Sequence, residues 1–269
     1  MDLSFVILTW NSEKYIEKCL SSIVVSLESS PLNYEVLIVD NGSQDNTIKI
    51  ITEQKGTKIR LIELGRNTGT TYPRNLSVKK AKGEYICIMD SDVEIFPGTI
   101  EILLSDLKKD ISVGLVVPKL IYPGGNLQKS TDQFPTVFQK AYRYFFLKKI
   151  EAKENKEKSF ESPIFVDYAI SALWVIKRSI FIKVGMLDEK IFYSPEDVDF
   201  CLRLWKAGYK ILYNPRAVAI HYTQEISRGF KLNKAFFDHL LGLLYYFLKH
   251  RYLFVLPSFK TKQNTGRAK

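Results

Sequence analysis

With 269 residues and 46% hydrophobic content, the chain can bury a sizeable core and fits one large domain plus an extension. Its net charge of +10 is unevenly placed: from Arg228 to Lys269 nine Lys and Arg stand against the single Asp238, while the rest of the chain is nearly neutral. A neutral body with a basic tail excludes a nucleic-acid binder built on a charged reading face, so any anionic partner is met by the tail.

The elements alternate. Phe5 to Thr9 reads as a buried strand and Trp10-Asn11-Ser12 as a turn and cap. A helix then carries Ile16, Leu20, Ile23, Val24 and Leu27 at helical spacing. Glu35 to Val39 is a second strand ending on Asp40-Asn41-Gly42-Ser43, after which Ser43 or Asp45 caps a helix through Thr47, Ile50 and Ile51. Lys58 to Leu64 is a third strand, closing on Gly65-Arg66-Asn67-Thr68-Gly69, and Pro73 suits the first turn of a helix running to Lys82. Pro97 opens a helix through Ile100, Leu103, Leu104 and Leu107, and Val113 to Val117 is a further strand. Strand and helix in turn, with connections too long for hairpins, predict an open, mostly parallel α/β sheet with flanking helices.

The stretch that carries most chemistry is Tyr85 to Met89, a short apolar strand that stops on Asp90-Ser91-Asp92. Strand residues alternate sides, so both carboxylates point the same way where the strand frays. Two carboxylates that close raise each other's pKa unless a cation lies between them, which makes the pair a candidate site for a hard divalent metal. The plainer alternative is a polar strand exit. Ligands of such sheets bind beyond the carboxyl ends of strands, where Thr9, Asp40, Arg66 and Asp92 all lie, although Asp40 beside Gly42 also fits an Asx-turn. No G-x-G-x-x-G follows the first strand and no Walker lysine motif occurs, which argues against dinucleotide-binding and P-loop enzymes.

Residues near 140–162 lose the pattern and read either as a mobile segment, such as a lid, or as a solvated insertion. Regular structure returns from Phe165 to Ile176, around Asp167 and Ser171. Ser194-Pro195-Glu196-Asp197-Val198-Asp199 opens a helix that buries Phe200, Cys201 and Leu204 and ends at Gly208. Ser194 and Asp197 have capping-box spacing, but three acids in four residues exceed what a cap requires. Tyr209 to Tyr213 and Val218 to His221 are the last strands, with His221 at a strand end.

Cys19, Cys87 and Cys201 lie in apolar runs and read as buried thiols in a reducing compartment. No signal peptide and no membrane span of ~20 residues is expected, which points to a cytoplasmic protein. In the tail, Phe236, Phe237, Leu240, Leu241, Leu243, Leu244, Phe247 and Leu248 form a broad apolar face flanked by Lys231, Lys234, Lys249 and Arg251. That face can pack on the catalytic body or on a second copy in a homodimer. It can also lie in the headgroup layer of an anionic membrane, peripheral to its inner face, and the charge favours this use because a neutral body would gain little from it.

Taken together, Phe5 to Asn11, Val39 to Ser43, Arg66 to Gly69 with Arg74-Asn75, Asp90-Ser91-Asp92, Val117 to Leu120, Pro195 to Asp199 and Val218 to His221 resemble the inverting family-two glycosyltransferases of the GT-A fold, especially their rhamnosyltransferase-like branch. The likeness covers about residues 3 to 225. It implies a GT-A domain over 1–225, with a nucleotide-binding half at 1–120 and an acceptor half at 121–225, followed by a basic amphipathic helical extension at 226–269. It implies that Thr9 and Asp40 hold the nucleotide base, that Arg66 and Arg74 approach the base or diphosphate, and that Asp90 faces ribose and metal. It makes Asp92 and His221 ligands of Mn²⁺ or Mg²⁺ and Asp197 the catalytic base. The partners implied are a UDP- or dTDP-linked sugar donor and a glycan or lipid-linked acceptor. Two departures stand out: many relatives read Asn-Pro-Asp at Asp90-Ser91-Asp92, and Ile170-Ser171-Ala172-Leu173 replaces a more usual Ser-Gly-Ala step. A sugar nucleotidyltransferase is the rival enzyme, but Trp10-Asn11-Ser12-Glu13 lacks its Gly-rich basic loop. A non-catalytic binding protein on a degenerate transferase fold is the rival of another class, opposed by the full set of acids and His221.

Overall fold

The computed structural model describes residues 1–54, 58–136, 160–223 and 234–252. The first half runs β1 (Leu3–Thr9), α1 (Ile16–Ser26), β2 (Tyr34–Asp40), α2 (Thr47–Glu53), β3 (Ile59–Glu63), α3 (Thr71–Lys80), β4 (Tyr85–Asp90), β5 (Val93–Ile95), α4 (Thr99–Lys109) and β6 (Val113–Ile121). Then follow β7 (Thr131–Asp132), β8 (Ile164–Val166), β9 (Tyr168–Ala169), β10 (Leu173–Lys177), α5 (Arg178–Lys183), α6 (Glu196–Lys206), β11 (Lys210–His221) and α7 (Lys234–His250). The segment near 140–162 lies, but for its last three residues, outside the described residues.

Central strands are apolar along their whole length because helices cover both faces of the sheet. Accordingly β2 is buried at every position and β4 at all but Asp90. In α1 the stripe Ile16, Leu20, Ile23 and Leu27 is buried, whereas Val24, expected with it, is 56% exposed on the solvent side. Of the two candidate caps for α2, Asp45 takes the role: its Oδ1 accepts from the Thr47 amide at 3.0 Å and the Thr47 hydroxyl. At the end of α6, Gly208 adopts φ +88°, its amide donates to the Trp205 carbonyl, and the Tyr209 amide donates to Leu204. This is the paired C-terminal cap that glycine permits.

One sheet has the order β3-β2-β1-β4-β10-β6-β11-β5, with β8 also on β11, and β7 and β9 form a separate pair. Strands β1, β2, β3, β4, β6 and β11 run one way, so the expected mostly parallel sheet is present. β10 runs against β4 and β6, and β5 and β8 run against β11. The two expected halves therefore share a sheet, with β10 inserted beside β4. The last two expected strands are one, β11, which shifts register between Asn214 and Val218. All three cysteines are buried and unpaired, and burial pushes each thiol up, away from the reactive thiolate.

The tail corrects the expectation that its charges gain little from packing. α7 lies on the body: Tyr246 is fully buried and Phe247 nearly so. Gly242 rests against the Ser194 carbonyl, where a Cβ would come within 2.1 Å, so no other residue fits. Lys249 Nζ pairs with Asp188 and Asp199 at 2.6 Å each, and His250 Nε2 meets Asp199 Oδ1 at 2.8 Å. Arg203 holds the other oxygen of Asp199 at 2.8 Å. The broad apolar face is thus divided: Leu240, Leu241, Leu244 and Leu248 remain 54–67% exposed. Among the described residues no helix is long and apolar enough to cross a membrane.

Asp199 is fully buried, and burial alone would raise its carboxyl. The bond from His250 and the charges of Arg203 and Lys249 outweigh burial and hold it down to about 2. A carboxyl depressed in the folded state contributes stability above its unfolded pKa of ~3.9, and that stability is lost as pH falls through 2. At neutral pH the contribution is on the order of 2 kcal/mol. Asp199→Asn should therefore lower the melting temperature at pH 7, and the gap to wild type should close between pH 4 and about 2. A gap independent of pH in thermal melts would show that these pairs contribute nothing.

Candidate active site

Parallel pairing aligns the carboxyl ends of the strands. Thr9 sits opposite Asp40, and Leu8 opposite Asp90, so β1, β2 and β4 stop along one edge. β11 runs the same way and brings His221 to that edge, opposite Val93 of β5. The turn Asp90-Ser91-Asp92 is fixed to the β1 exit by the Ser12 and Ser91 hydroxyls, 2.8 Å apart, and to the end of β11 by the Tyr222 amide, which donates to the Asp92 carbonyl.

Asp90, Asp92 and His221 bring one ligand atom each to within 4.8 Å of one another. His221 Nε2 lies 3.3 Å from Asp92 Oδ1 and 4.0 Å from Asp90 Oδ2. Its Nδ1 lies 3.0 Å from Gln128 Oε1, a buried acceptor. A histidine whose Nδ1–H is donated to Gln128 is oriented with Nε2 toward the two carboxylates, where Nε2–H donates to Asp92 and, once that proton is lost, could ligate a cation. Burial pulls His221 down, but its bond to Asp92 and the charges of Asp92 and Asp90 prevail and raise it. Burial pushes Asp90 up, and Arg74 only partly offsets this against the neighbouring Asp92. Two carboxylate oxygens and one imidazole nitrogen within 4.8 Å of one another fit a divalent ion such as Mn²⁺ or Mg²⁺.

Arg74 was expected near the base or diphosphate. Instead its guanidinium is 4% exposed and bridges carboxylates of the protein itself. Nη2 meets Asp90 Oδ1 at 2.5 Å, while Nη1 donates to Glu196 Oε1 at 3.1 Å and to Ser171 Oγ at 2.8 Å. Its Nε is buried without a partner. β10 makes this possible: running against β4, it begins where β4 ends, with the Asp90 amide donating to the Ala172 carbonyl and Ser171 alongside. Arg74 thereby ties the metal-type cluster to the first turn of α6.

That turn separates the three acids. Glu196 faces Arg74, Asp197 is half-buried with its Oδ1 accepting from the Val198 amide at 2.7 Å, and Asp199 is held by the tail. Burial, then the charge of Asp197, pushes Glu196 up to about 8 despite Arg74. The expected capping box is absent: Pro195, not Ser194, occupies the cap position, and no side chain bonds to it.

On the nucleotide side, Asp40 Oδ2 accepts from the Gly42 and Ser43 amides at 3.0 and 2.9 Å, the Asx-turn alternative realised in full. Its Oδ1 takes the Ser43 hydroxyl. Thr9 Oγ1 is buried with no partner, an orphan polar atom at a ligand-facing strand end. Asn41 braces the following loop, accepting from the Thr68 amide at 2.8 Å and donating to the Gly69 carbonyl at 2.9 Å. Gly42 (φ +83°) touches the Arg66 backbone, which any Cβ would meet at 2.7 Å. Arg66 is exposed and lines a cavity of about 370 Å³ with Leu64, Thr68 and Tyr72. A cavity of about 390 Å³ between α1 and β5, lined by Lys18, Glu94 and Phe96, holds none of the expected residues. From the loop, the Thr70 amide donates to the Phe192 carbonyl and the Thr71 hydroxyl to Ile191, joining the nucleotide side to the approach of α6.

The sequence reading gave neither Gln128 nor Glu196 a role. Nothing in Asn126-Leu127-Gln128 marks a buried acceptor. The excess of acids did signal Glu196, since a cap needs at most one or two of them.

The chain is similar to several glycosyltransferases. An N-acetylglucosaminyl-diphospho-decaprenol L-rhamnosyltransferase of Mycobacterium tuberculosis is 27% identical over 236 residues, covering 82% of this chain and 76% of the relative. A dolichyl N-acetyl-alpha-D-glucosaminyl phosphate 3-beta-D-2,3-diacetamido-2,3-dideoxy-beta-D-glucuronosyltransferase of Methanococcus voltae is 26% identical, covering 85% and 69%. Among solved structures, GalNAc-T7 with UDP, GalNAc and Mn²⁺ matches at TM-score 0.68 and 15% identity, covering 92% of this chain and 48% of its own. TarS of S. aureus matches at TM-score 0.57 and 20% identity, covering 82% and 60%. The chain thus spans about half to three fifths of these structures, whose likeness shows the shared fold. Residues 4–185 match the sequence profile described as Glycosyl transferase family 2, so this chain belongs to that glycosyltransferase family.

Proposed function

We propose that the protein is an inverting, metal-assisted transferase. It moves a sugar from a UDP- or dTDP-linked donor to a hydroxyl of a lipid-linked or glycan acceptor, working at the inner face of the cell membrane. The observation that carries this is the Arg74 bridge, which joins Asp90 of the metal-type cluster to Glu196, the neighbour of Asp197, across one strand edge. The relatives' names add lipid-linked substrates.

In this reading Thr9, through its orphan hydroxyl, and Asp40 hold the nucleotide base, while Arg66 reaches the diphosphate from its cavity. Asp90, Asp92 and His221 hold the divalent ion, with Gln128 fixing the imidazole. When bound, that ion supplies Lewis-acid neutralisation of the charge developing on the departing diphosphate. Asp197 takes the proton from the acceptor hydroxyl as its oxygen forms the new bond at the anomeric carbon and the bond to the diphosphate breaks, inverting that centre. Glu196, turned to Arg74, stays out of that proton transfer and keeps the first turn of α6 in register with β4.

Incubation with a panel of nucleotide sugars and Mn²⁺ should release nucleoside diphosphate from one of them, and NMR of the product should show the inverted anomer. Conversion of nucleotide sugar and added pyrophosphate into sugar phosphate and nucleoside triphosphate, or retention at the anomeric centre, would overturn this reading.

A further inference from the structure

The inner face of α7 is accounted for by the body, and its outer face is not. Leu240, Leu241, Leu244 and Leu248 are 54–67% exposed and share an arc of about 100°. They are apolar enough for a core and have none. We infer that this leucine ridge is a docking face for an anionic lipid bilayer surface.

Charge selects this occupant over a second copy. Lys249 and His250 are committed to Asp188 and Asp199, so the ridge itself carries no buried cation. Arg251 is exposed where the ridge ends, and the sequence beyond continues with Leu253-Phe254-Val255-Leu256 and then Lys260, Lys262, Arg267 and Lys269 without an acid. The same stretch of a second copy brings no acid to meet these charges, whereas an anionic leaflet gains from basic residues near its surface. Four leucines also fall well short of the roughly 800 Å² that each partner of a stable interface buries. An interfacial helix of this kind lies in the headgroup layer with its apolar face ~5–10 Å deep.

Position gives the ridge its use. Gly242 rests on the Ser194 carbonyl, two residues before Glu196 and three before Asp197. A bilayer under the ridge is therefore separated from the approach to α6 by about one helix diameter, 10–12 Å. A lipid-linked acceptor would then present its hydroxyl near the base without leaving the membrane surface. This last step rests on the acceptor reading above; the docking face does not.

The test uses the full chain and phosphatidylcholine vesicles with and without phosphatidylserine. Wild type should co-sediment with the anionic vesicles at low salt, and high salt should release it. Replacing Leu241, Leu244 and Leu248 together by Gln should lower this binding at least about ten-fold, with the melting temperature and vesicle-free donor hydrolysis unchanged. Leu244→Trp, which keeps the ridge apolar, should show a blue shift in fluorescence on adding anionic vesicles. Wild type that ignores anionic vesicles, a Trp that does not shift, or a dimer dissolved by the Gln substitutions would overturn the proposal. Vesicles without acceptor suffice here, so failed binding leaves the transfer reading standing, and failed donor turnover leaves the docking face standing.

Discussion

Asp197→Asn should lower the transfer rate by ~10²-fold or more while leaving the melting temperature nearly unchanged. The amide keeps the shape of the side chain and the oxygen that accepts from the Val198 amide. It removes only the capacity to take a proton. A purely structural acid at a helix N-terminus behaves in the opposite way: Asn would cost a few tenths to ~1 kcal/mol through the helix dipole and leave the rate alone. In the same turn Glu196 is held by Arg74 and Asp199 by the tail. Steady-state rates and thermal melts on the same preparation decide it, and an active but destabilised variant would remove Asp197 from the chemistry.

Asp92→Ala should abolish the dependence of donor turnover on Mn²⁺ and reduce turnover by about 10²-fold or more. Loss of an outer-shell partner of a metal site already costs 10–100-fold, and Asp92 would be a direct ligand. In the folded chain it is also closer to His221 than Asp90 is, at 3.3 Å against 4.0 Å, so its loss leaves Asp90 and His221 of the cluster. Turnover against Mn²⁺ concentration is the measurement. A variant with the wild-type rate and the same half-saturating Mn²⁺ would show that the metal is held elsewhere.

Much of this site was legible because its residues end strands. A strand must stop at the sheet edge, and a polar residue closing an apolar run announces that edge, which is how Thr9, Asp40, Asp90 and Asp92 stand out. The loop glycines followed the same logic, since Gly42 lies where backbone approaches backbone. What stayed hidden depends on contacts between distant segments. Gln128 gains meaning only from His221, 93 positions away, and Arg74 only from Glu196, 122 positions away. The direction of β10 was equally unreadable, because apolar runs of either direction look the same in sequence. Lys249 was misjudged for a related reason. A lysine beside an apolar face reads as a solvated flank, and only the fold sets the buried Asp199 opposite it.

The reversed course of β10 has a consequence for how such a chain can diverge. In a sheet of uniform direction, the chain enters each strand at the edge away from the site, and insertions there do nothing for ligand choice. Here the chain enters β10 beside Asp90, and the β7–β9 pair closes the base of the excursion that precedes it. Lengthening that excursion leaves every strand pairing intact, and each doubling of its length costs only about 0.6 kcal/mol of closure entropy. Insertions between β7 and β8 therefore open onto the sheet edge beside Asp90, away from β1, β2 and β3.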